Sequence, residues 1–408
     1  MTTGRYAPSP SGRMHLGNLM CCLLAWLSAK SKGGQVLLRI EDLDAERCPR
    51  IYADLLEQDL DWLGLAWDEG GSTGGPNGPY YQSECAPVYE EAYAKLAAQG
   101  LVYPCFCSRS QLHAASAPHT SDGNVIYPGT CRGLTAEEIA EKRKKKAPAY
   151  RLMVPDENIT FTDGCMGEHT ENLLRDCGDF YLRRADGVFA YQLAVVVDDA
   201  RMGVTEVVRG ADLLSSTARQ LYLYRLLGLP APEFAHCPLL LASDGRRLSK
   251  RDGDASYADF VDKGYLKEAL VNYVALLGWN PGDDREIFSL SELCEAFDVS
   301  GMSKSPAIFD PEKLTWMNAQ YIMALSKEDF TRHAMPWYEK AGIAHMDTDI
   351  LCRILQQRVR VFNEIPDMVD FLTKLDEDYD AALFTNKKSK TDSAVSKEVL
   401  EMVIPALE

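Results

Sequence analysis

The sequence lacks the long apolar runs and the excess of positive charge that mark two common protein classes. Its longest apolar stretch, Leu19–Leu27, is far shorter than the roughly 20 residues that cross a bilayer. The N-terminus MTTGRYAPSP has no apolar signal core. Lys and Arg number 43 against 60 Asp and Glu, a formal charge of −17, so a generally basic nucleic-acid coat is excluded, although a local basic face is not. We therefore expect a cytoplasmic protein without a membrane partner.

A Walker phosphate loop and a disulfide framework are also missing. No G-x-x-x-x-G-K-[ST] motif occurs. Twelve cysteines in a chain of 408 residues without a signal core are expected as thiols or metal ligands. Hydrophobic residues at 46% and charged residues at 25% are typical of globular proteins, which excludes a mainly disordered, collagenous or coiled-coil chain. The length predicts two to four domains.

The N-terminal segment predicts a βαβ unit. Arg5–Ala7 is extended, the loop PSPSG follows, and an apolar helix capped by Asn18 runs through Trp26. After two glycines, Val36–Ile40 is a buried strand that ends in carboxylates. Such a unit implies a parallel sheet, which binds ligands where its strands end.

Later segments extend this α/β interpretation. Between Phe189 and Arg209, LAVVVDD and VTEVVR predict two more strands, so the sheet resumes after an insertion and one split domain results. EKRKKK at 141–146 predicts a solvated helix end, and the glycine-rich segment 70–79 predicts a surface connection. Helical patterning dominates from Glu268 onward. One amphipathic helix is predicted from the spacing of Leu351, Ile354, Leu355, Val359 and Phe362.

Two distant loops carry groups suited to phosphate chemistry. His15 lies in the turn PSPSGRMHLGN, where a histidine and a helix N-terminus can face phosphate oxygens. Lys250 lies in GRRLSKRDGDAS, a basic loop that could neutralise departing pyrophosphate. HLGN and RLSKR, in this order and about 230 residues apart, resemble the two signatures of class I aminoacyl-tRNA synthetases.

Longer strings resemble glutamyl-tRNA synthetases in particular. They are RYAPSPSGRMHLGNL, LRIEDLDAER, FAYQLAVVVDDARMGVTEVVRGADLL, EALVNYVALLGWNPGDDREIFSL and SKSPAIFDPEKLTWMNAQYI. The resemblance covers roughly residues 4–370. It implies a Rossmann-type parallel-sheet catalytic domain in two halves (1–100 and 186–240), an inserted acceptor-end and zinc-binding domain (101–185), a stem-contact region (241–310) and a helical anticodon-binding domain (311–408). It also implies a ligase that uses ATP with Mg²⁺ to join L-glutamate to tRNA(Glu), expected as a monomer.

A glutamate site needs cations for two carboxylates and an anion or polar groups for the amine. By similarity, Arg5 and Arg209 hold the carboxylates, because guanidinium makes two parallel hydrogen bonds to a carboxylate, and Glu41 takes the ammonium. Ala7, Ser9 and Tyr191 complete the glutamate set. The ATP set implied by similarity is His15, Gly17, Asp44, Leu248 and Lys250, of which His15 and Lys250 are catalytic. No protein nucleophile is required, so catalysis is positioning and charge stabilisation.

The segment 105–131 predicts a structural zinc site. Cys105, Cys107, Tyr127 and Cys131 place three thiols and a phenol in loop-rich chain, and zinc prefers four ligands in a tetrahedron. His113 or His119 is the alternative to Tyr127 as fourth ligand. Cys21, Cys22 and Cys165 are expected as small core residues.

Two features keep alternative functions open. The tyrosine followed by CR, and RGADLL at 209–214, look like glutamyl-queuosine tRNA(Asp) synthetase, which has no anticodon-binding domain. This chain continues for about 110 residues after residue 300, which argues against that alternative. Full-length glutamyl-tRNA synthetases usually have one further helical domain, so we expect a truncated or an unusual form. A catalytically inactive tRNA-binding regulator is the alternative of another class. The predicted tRNA-binding residues on the C-terminal helix are Arg353, Gln357, Arg358 and Arg360.

Overall fold

The computed structural model describes residues 1–108, 126–242, 244–246, 257–373 and 380–407. The chain divides into two units, Met1–Tyr321 and Ile322–Glu408. The strands are β1 (Thr3–Tyr6), β2 (Gln35–Leu38), β3 (Glu69–Gly70), β4 (Val102–Cys105), β5 (Ala149–Leu152), β6 (Asn158–Asp163), β7 (Gly167–Asn172), β8 (Phe180–Arg183), β9 (Glu206–Gly210), β10 (Glu233–Cys237), β11 (Leu240–Leu241) and β12 (Ala307–Ile308). The helices are α1 (Leu16–Ser31), α2 (Arg50–Leu63), α3 (Ala86–Ala98), α4 (Ala136–Arg143), α5 (Tyr191–Arg201), α6 (Thr217–Leu227), α7 (Tyr257–Lys263), α8 (Lys267–Gly278), α9 (Leu290–Ala296), α10 (Pro311–Ala324), α11 (Lys327–Ala341), α12 (Thr348–Leu355), α13 (Ile365–Met368) and α14 (Ser393–Leu407).

A five-stranded parallel sheet organises the first unit. Its order is β10–β9–β1–β2–β3. The predicted βαβ unit is confirmed as β1–α1–β2, with Arg5 opposite Leu37 in the register. The strand pairing crosses the insertion, because β1 pairs with β9 at Gly4 and Glu206. The chain after β1 turns towards β2 on one side while β9 returns on the other, which opens a crevice at the carboxyl ends of these strands.

Helix α1 begins one turn earlier and ends later than its sequence predicts. The N-cap is His15, not Asn18, because the His15 Nδ1 accepts the backbone N–H of Asn18 at 3.3 Å. The helix continues to Ser31 rather than Trp26, since it packs closely over β1 and β9. At the closest point a Cβ on Gly4 would lie 2.9 Å from the Ala29 Cβ, so glycine permits this approach.

The prediction of a strand at LAVVVDD is wrong. These residues belong to α5, and Leu193 to Val197 are all buried there. The helix is packed on both sides, against α3 and α6, so its sequence reads as an unbroken apolar run, the pattern that a buried strand shares. The strand predicted at VTEVVR is confirmed as β9.

The segment between the two halves of the parallel sheet folds on separate strands. β4, β5 and β8 form an antiparallel sheet, and β6 and β7 form a hairpin. The basic run 141–146, which begins in the last turn of α4, is exposed, as predicted, and the glycine-rich segment contributes the end of β3 and a short 3₁₀ turn. Among the described residues, no helix is long and apolar enough to cross a membrane.

The second unit corrects the predicted helix over residues 351–362. Helix α12 ends at Leu355, and Val359 and Phe362 are buried in the turns that follow. The Gln356 side-chain amide donates to the carbonyl of Leu325 at 2.8 Å, which turns the chain after the helix. The four predicted tRNA-binding side chains are therefore exposed but do not share one helix face.

Candidate functional site

The predicted glutamate-binding side chains converge at the carboxyl edge of the parallel sheet. Arg5 lies near the end of β1, Arg209 near the end of β9, and Glu41 follows β2. The backbone N–H of Glu41 donates to the carbonyl of Pro8 at 2.8 Å, which ties the segment after β2 to the loop after β1. Tyr191 begins α5, and its pKa is raised by burial, with Arg209, Glu41 and Arg5 the charges that next affect it. These four side chains are thus close enough for their charges to interact, with Arg5, Glu41 and Arg209 buried and Tyr191 partly exposed.

Arg5 is a buried guanidinium with few partners of its own. It is 5% exposed, its Nε lies 3.5 Å from Asp199 Oδ1 without a hydrogen bond, and its Nη1 reaches the Val208 carbonyl only at 3.4 Å. A buried arginine in this state retains most of its donors for a ligand. The fork of Arg5 is therefore suited to binding a carboxylate with two hydrogen bonds.

A buried group of charges lies beneath Arg5. Arg39 is fully buried, and its guanidinium contacts Asp199 Oδ1 at 2.6 Å and Glu41 Oε1 at 3.0 Å. Asp198, which directly precedes Asp199 in the chain, accepts hydrogen bonds from the side chains of Tyr89, Gln82 and Arg201. Sequence reasoning missed Asp198 and Asp199 because their segment is predicted as a strand, and it missed Arg39 because this residue lies within the predicted buried strand Val36–Ile40. The available signal was the pair of acidic residues that directly follows a wholly apolar run.

Arg209 is held more firmly than Arg5. Its Nε donates to His236 Nε2 at 3.0 Å and its Nη1 to Gln220 Oε1 at 2.7 Å. Its Nη2 donates to Thr217 Oγ1 at 2.9 Å and to the Leu213 carbonyl at 3.3 Å. These contacts use four of the five N–H groups of a guanidinium, so Arg209 has one left for a ligand. Sequence reasoning missed His236, because it lies 27 residues from Arg209 in the chain and no local pattern connects the two.

The carboxyl group of Glu41 has a raised pKa. Burial is the main cause, and the positive charges of Arg39 and Arg5 only partly offset it. Proton uptake by Glu41 therefore begins at a higher pH than for an ordinary glutamate, and the anion that would hold an ammonium group is lost as the pH falls.

We expect this shift to appear in the pH dependence of the ligase activity that the resemblance implies. If Glu41 binds the ammonium of glutamate, kcat/KM for glutamate should fall on the acid side at a pH above the usual range of about 4.3, because kcat/KM reports ionisations of the free enzyme. The measurement is kcat/KM for glutamate from pH 5 to 8 in the wild type and in Glu41→Gln, which should lower the plateau and remove this limb. An unchanged acid limb in the variant would contradict the role of Glu41.

The phosphate-facing candidates are only partly described. His15 caps α1 beside Gly17, and a Cβ on Gly17 would lie 3.1 Å from the His15 ring, so glycine leaves room for that ring. Ala7 and Ser9 lie in the loop before His15, and Ser9 is exposed. Asp44 is half-buried, with one carboxylate oxygen 4.0 Å from Arg184 Nη1. Leu248 and Lys250 lie outside the described residues.

The cysteine cluster brings together the predicted zinc ligands. The sulfur atoms of Cys105, Cys107 and Cys131 lie within 4.8 Å of one another. The Tyr127 hydroxyl lies 3.6 Å from Cys105 Sγ and 3.8 Å from Cys107 Sγ. Cys107 Sγ and Cys131 Sγ are 3.7 Å apart, close to the edge of about 3.8 Å that a tetrahedron with Zn–S distances of about 2.3 Å requires. Three thiols and a phenol thus have the spacing of a zinc site. His113 and His119 lie outside the described residues.

Neighbouring groups favour a thiolate in this cluster. Burial alone would raise the pKa of Cys105, but hydrogen bonds from the Cys107 backbone N–H and from Arg151 outweigh it, so the pKa is lowered. Arg151 also lies over the Tyr127 ring at 3.8 Å from its centre. The remaining cysteines meet the expectation of core residues in part: Cys22 and Cys165 are buried, whereas Cys21 is half-buried beside Cys237, with 3.3 Å between the two sulfur atoms.

Two protein families match this chain. Residues 1–316 match the family described as tRNA synthetases class I (E and Q), catalytic domain. Residues 329–408 match the family described as anticodon binding domain.

Individual proteins match over nearly the whole chain. A glutamate–tRNA ligase of Clostridium botulinum strain Hall is 43% identical over 408 residues, which are 99% of this chain and 84% of the relative. A glutamate–tRNA ligase of Clostridium tetani is 43% identical over 99% of this chain and 83% of its own length. The crystal structure of a glutamate tRNA ligase from Elizabethkingia meningosepticum, in complex with its amino acid, has a TM-score of 0.83 at 30% identity and covers all of this chain and 87% of the other.

Proposed function

This chain belongs to the class I tRNA synthetases of the glutamate and glutamine type, and we propose that it is a glutamate–tRNA ligase. The observation that carries the proposal is the buried, sparsely bonded Arg5 fork, whose positive charge acts on the nearby Glu41 carboxylate. A ligand that satisfies both groups carries a carboxylate and an ammonium group, as an amino acid does. Arg209 adds a second guanidinium, which suits an amino acid with two carboxylates.

In the proposed reaction the glutamate α-carboxylate attacks the α-phosphorus of ATP. The bond to the pyrophosphate group breaks, and glutamyl-adenylate and pyrophosphate form. A hydroxyl of the terminal adenosine of tRNA then takes the acyl group and AMP leaves. The protein's contribution is to hold the reactants in line and to balance charge, so the chemistry requires no protein nucleophile.

The residues around ATP are proposed to act through charge and position. The N-terminus of α1, with the His15 ring at its cap, would face the phosphates, where its unpaired N–H groups favour anions. Lys250, from the loop outside the described residues, would neutralise the leaving pyrophosphate. Mg²⁺ would enter with ATP, since this ion is held largely by substrate phosphates and water. Asp44 is proposed to supply a carboxylate near the ribose or the Mg²⁺ ion of ATP.

Zinc would stabilise the segment between the two halves of the sheet. Cys105, Cys107, Cys131 and the Tyr127 hydroxyl would hold it. Zinc would supply a fixed cross-link there, with no part in the chemistry of glutamate activation. In the second unit, the exposed Arg353, Gln357 and Arg358 are proposed to contact tRNA, while Arg360 is already paired with Glu364 at 3.0 Å.

The experiment that tests the function is aminoacylation with radiolabelled glutamate. Purified enzyme is offered tRNA(Glu), tRNA(Gln) and queuosine-containing tRNA(Asp) in parallel, with ATP and Mg²⁺. We expect label on tRNA(Glu), with Lys250→Ala as the inactive control. Label on tRNA(Asp) alone would assign the chain instead to glutamyl-queuosine synthesis, the alternative that the tyrosine in the cysteine cluster favours. No transfer to any tRNA by folded protein would indicate an inactive tRNA-binding protein.

A further inference from the structure

A buried chain of hydrogen bonds connects the hairpin β6–β7 with Arg209. Asp163, the last residue of β6, lies 2.6 Å from His236 Nδ1 through its Oδ2. His236 Nε2 accepts from Arg209 Nε at 3.0 Å. The Asp163 and His236 side chains are both fully buried. Because Nε2 accepts a hydrogen bond, the His236 ring is neutral and its one proton lies on Nδ1, facing Asp163.

The orientation of Asp163 is itself fixed. Its Oδ1 accepts three backbone N–H groups, from Cys165 at 3.0 Å, Met166 at 2.8 Å and His236 at 3.1 Å. Only Oδ2 remains for the imidazole. The turn of the hairpin therefore determines which nitrogen of His236 carries the proton, and this proton position determines whether Nε2 can receive Arg209.

We propose that Asp163 and His236 are positioning residues that hold the Arg209 guanidinium for the carboxylate of the amino acid. This inference rests on the proposed function, since it concerns the same glutamate site. Neither residue needs to touch the substrate. Their contribution is that Arg209 keeps one N–H in a fixed direction, while four others are bound by protein.

Asp163→Asn is an informative variant because it preserves shape and reverses one hydrogen bond. The three backbone N–H groups require an oxygen at the position of Oδ1, so the asparagine NH₂ must take the position of Oδ2. It would donate to His236 Nδ1, and the ring proton would move to Nε2, where it opposes the Arg209 Nε–H. His236→Phe removes the acceptor and keeps a ring of similar shape.

The test is steady-state aminoacylation of tRNA(Glu) with glutamate as the varied substrate. Each variant should raise KM for glutamate by about 10- to 100-fold, the loss expected for one hydrogen bond to a charged group. KM for ATP should change less than about twofold. The double variant Asp163→Asn/His236→Phe should be no worse than His236→Phe alone, because Asp163 acts through His236. His169→Gln, on the partly exposed side of the same hairpin, is the matched control.

A spectroscopic measurement keeps the proposal testable if a variant does not fold. Nitrogen chemical shifts of ¹⁵N-histidine in the wild type should show His236 as a neutral ring protonated at Nδ1. A ring protonated at Nε2, or folded variants with the wild-type KM for glutamate, would overturn the proposal. Failure of the proposed function itself looks different, because then the wild type charges no tRNA with glutamate.

Discussion

Replacing Arg5 with lysine is expected to lower kcat/KM for glutamate by about 30- to 4000-fold. Breaking a buried, hydrogen-bonded charge pair costs about 2–5 kcal/mol, which corresponds to that range. Lysine keeps the positive charge beside Asp199 but cannot make two parallel hydrogen bonds to a carboxylate. The effect should exceed that of the same change at Arg209, because Arg209 already gives four of its N–H groups to the protein.

The measurement is kcat/KM for glutamate at saturating ATP and tRNA, with circular dichroism to check folding. Arg225→Lys is the matched control, since Arg225 makes a fork contact of 2.6 and 2.8 Å with Glu157 at the surface. Surface pairs contribute only about 0–1 kcal/mol, so this variant should keep nearly full activity. If Arg5→Lys also keeps wild-type kcat/KM, Arg5 does not hold the substrate carboxylate.

The second large effect is expected from the cysteine cluster. The wild type should carry about one zinc per chain, and Cys131→Ser should carry almost none, because it leaves only two thiols. At free zinc about 1000-fold above its Kd, bound metal stabilises by about 4 kcal/mol. Its loss should lower the melting temperature by roughly 6 °C, because the unit Met1–Tyr321 is large and its unfolding entropy is correspondingly high. Metal analysis and thermal unfolding, with and without a chelator, measure both quantities.

Two further variants define the ligand set. Cys294→Ser, a half-buried thiol in α9, should leave the zinc content unchanged. Tyr127→Phe should lower the affinity for zinc if the phenol is the fourth ligand and leave it unchanged if His113 or His119 is. Less than half an equivalent of zinc in the wild type, together with reactive thiols, would refute the site.

The fold at the start of the chain could be predicted because its signals are local. The turn PSPSG, the apolar helix and the buried strand after two glycines follow within 40 residues, and each gave the correct element. Hydrophobic periodicity failed to predict the helix that is buried on more than one side. Helix α5 is covered on both sides, so its sequence lacks the polar face that distinguishes a helix from a strand.

The candidate site likewise contains residues that the sequence could indicate and residues that it could not. Arg5, Glu41, Tyr191 and Arg209 were named through a resemblance in ordered strings, and the structure brings them to one edge of the sheet. Asp163 and His236 could not be named, because their contact depends on a hairpin turn meeting a strand 73 residues later in the chain. The end of α12 depends in turn on a single amide, that of Gln356, which binds carbonyls at the end of α10.

The pairing of β1 with β9 has a consequence for synthesis on the ribosome. Gly4 pairs with Glu206, so one edge of β1 has no strand partner until about 200 more residues have been synthesised. At 5–20 residues per second, that interval lasts about 10–40 s. In this interval β4, β5 and β8 can pair among themselves, whereas the cleft that contains Arg5 and Arg209 does not yet exist. During synthesis, the antiparallel sheet of β4, β5 and β8 can therefore form before the parallel sheet that begins with β1 is complete.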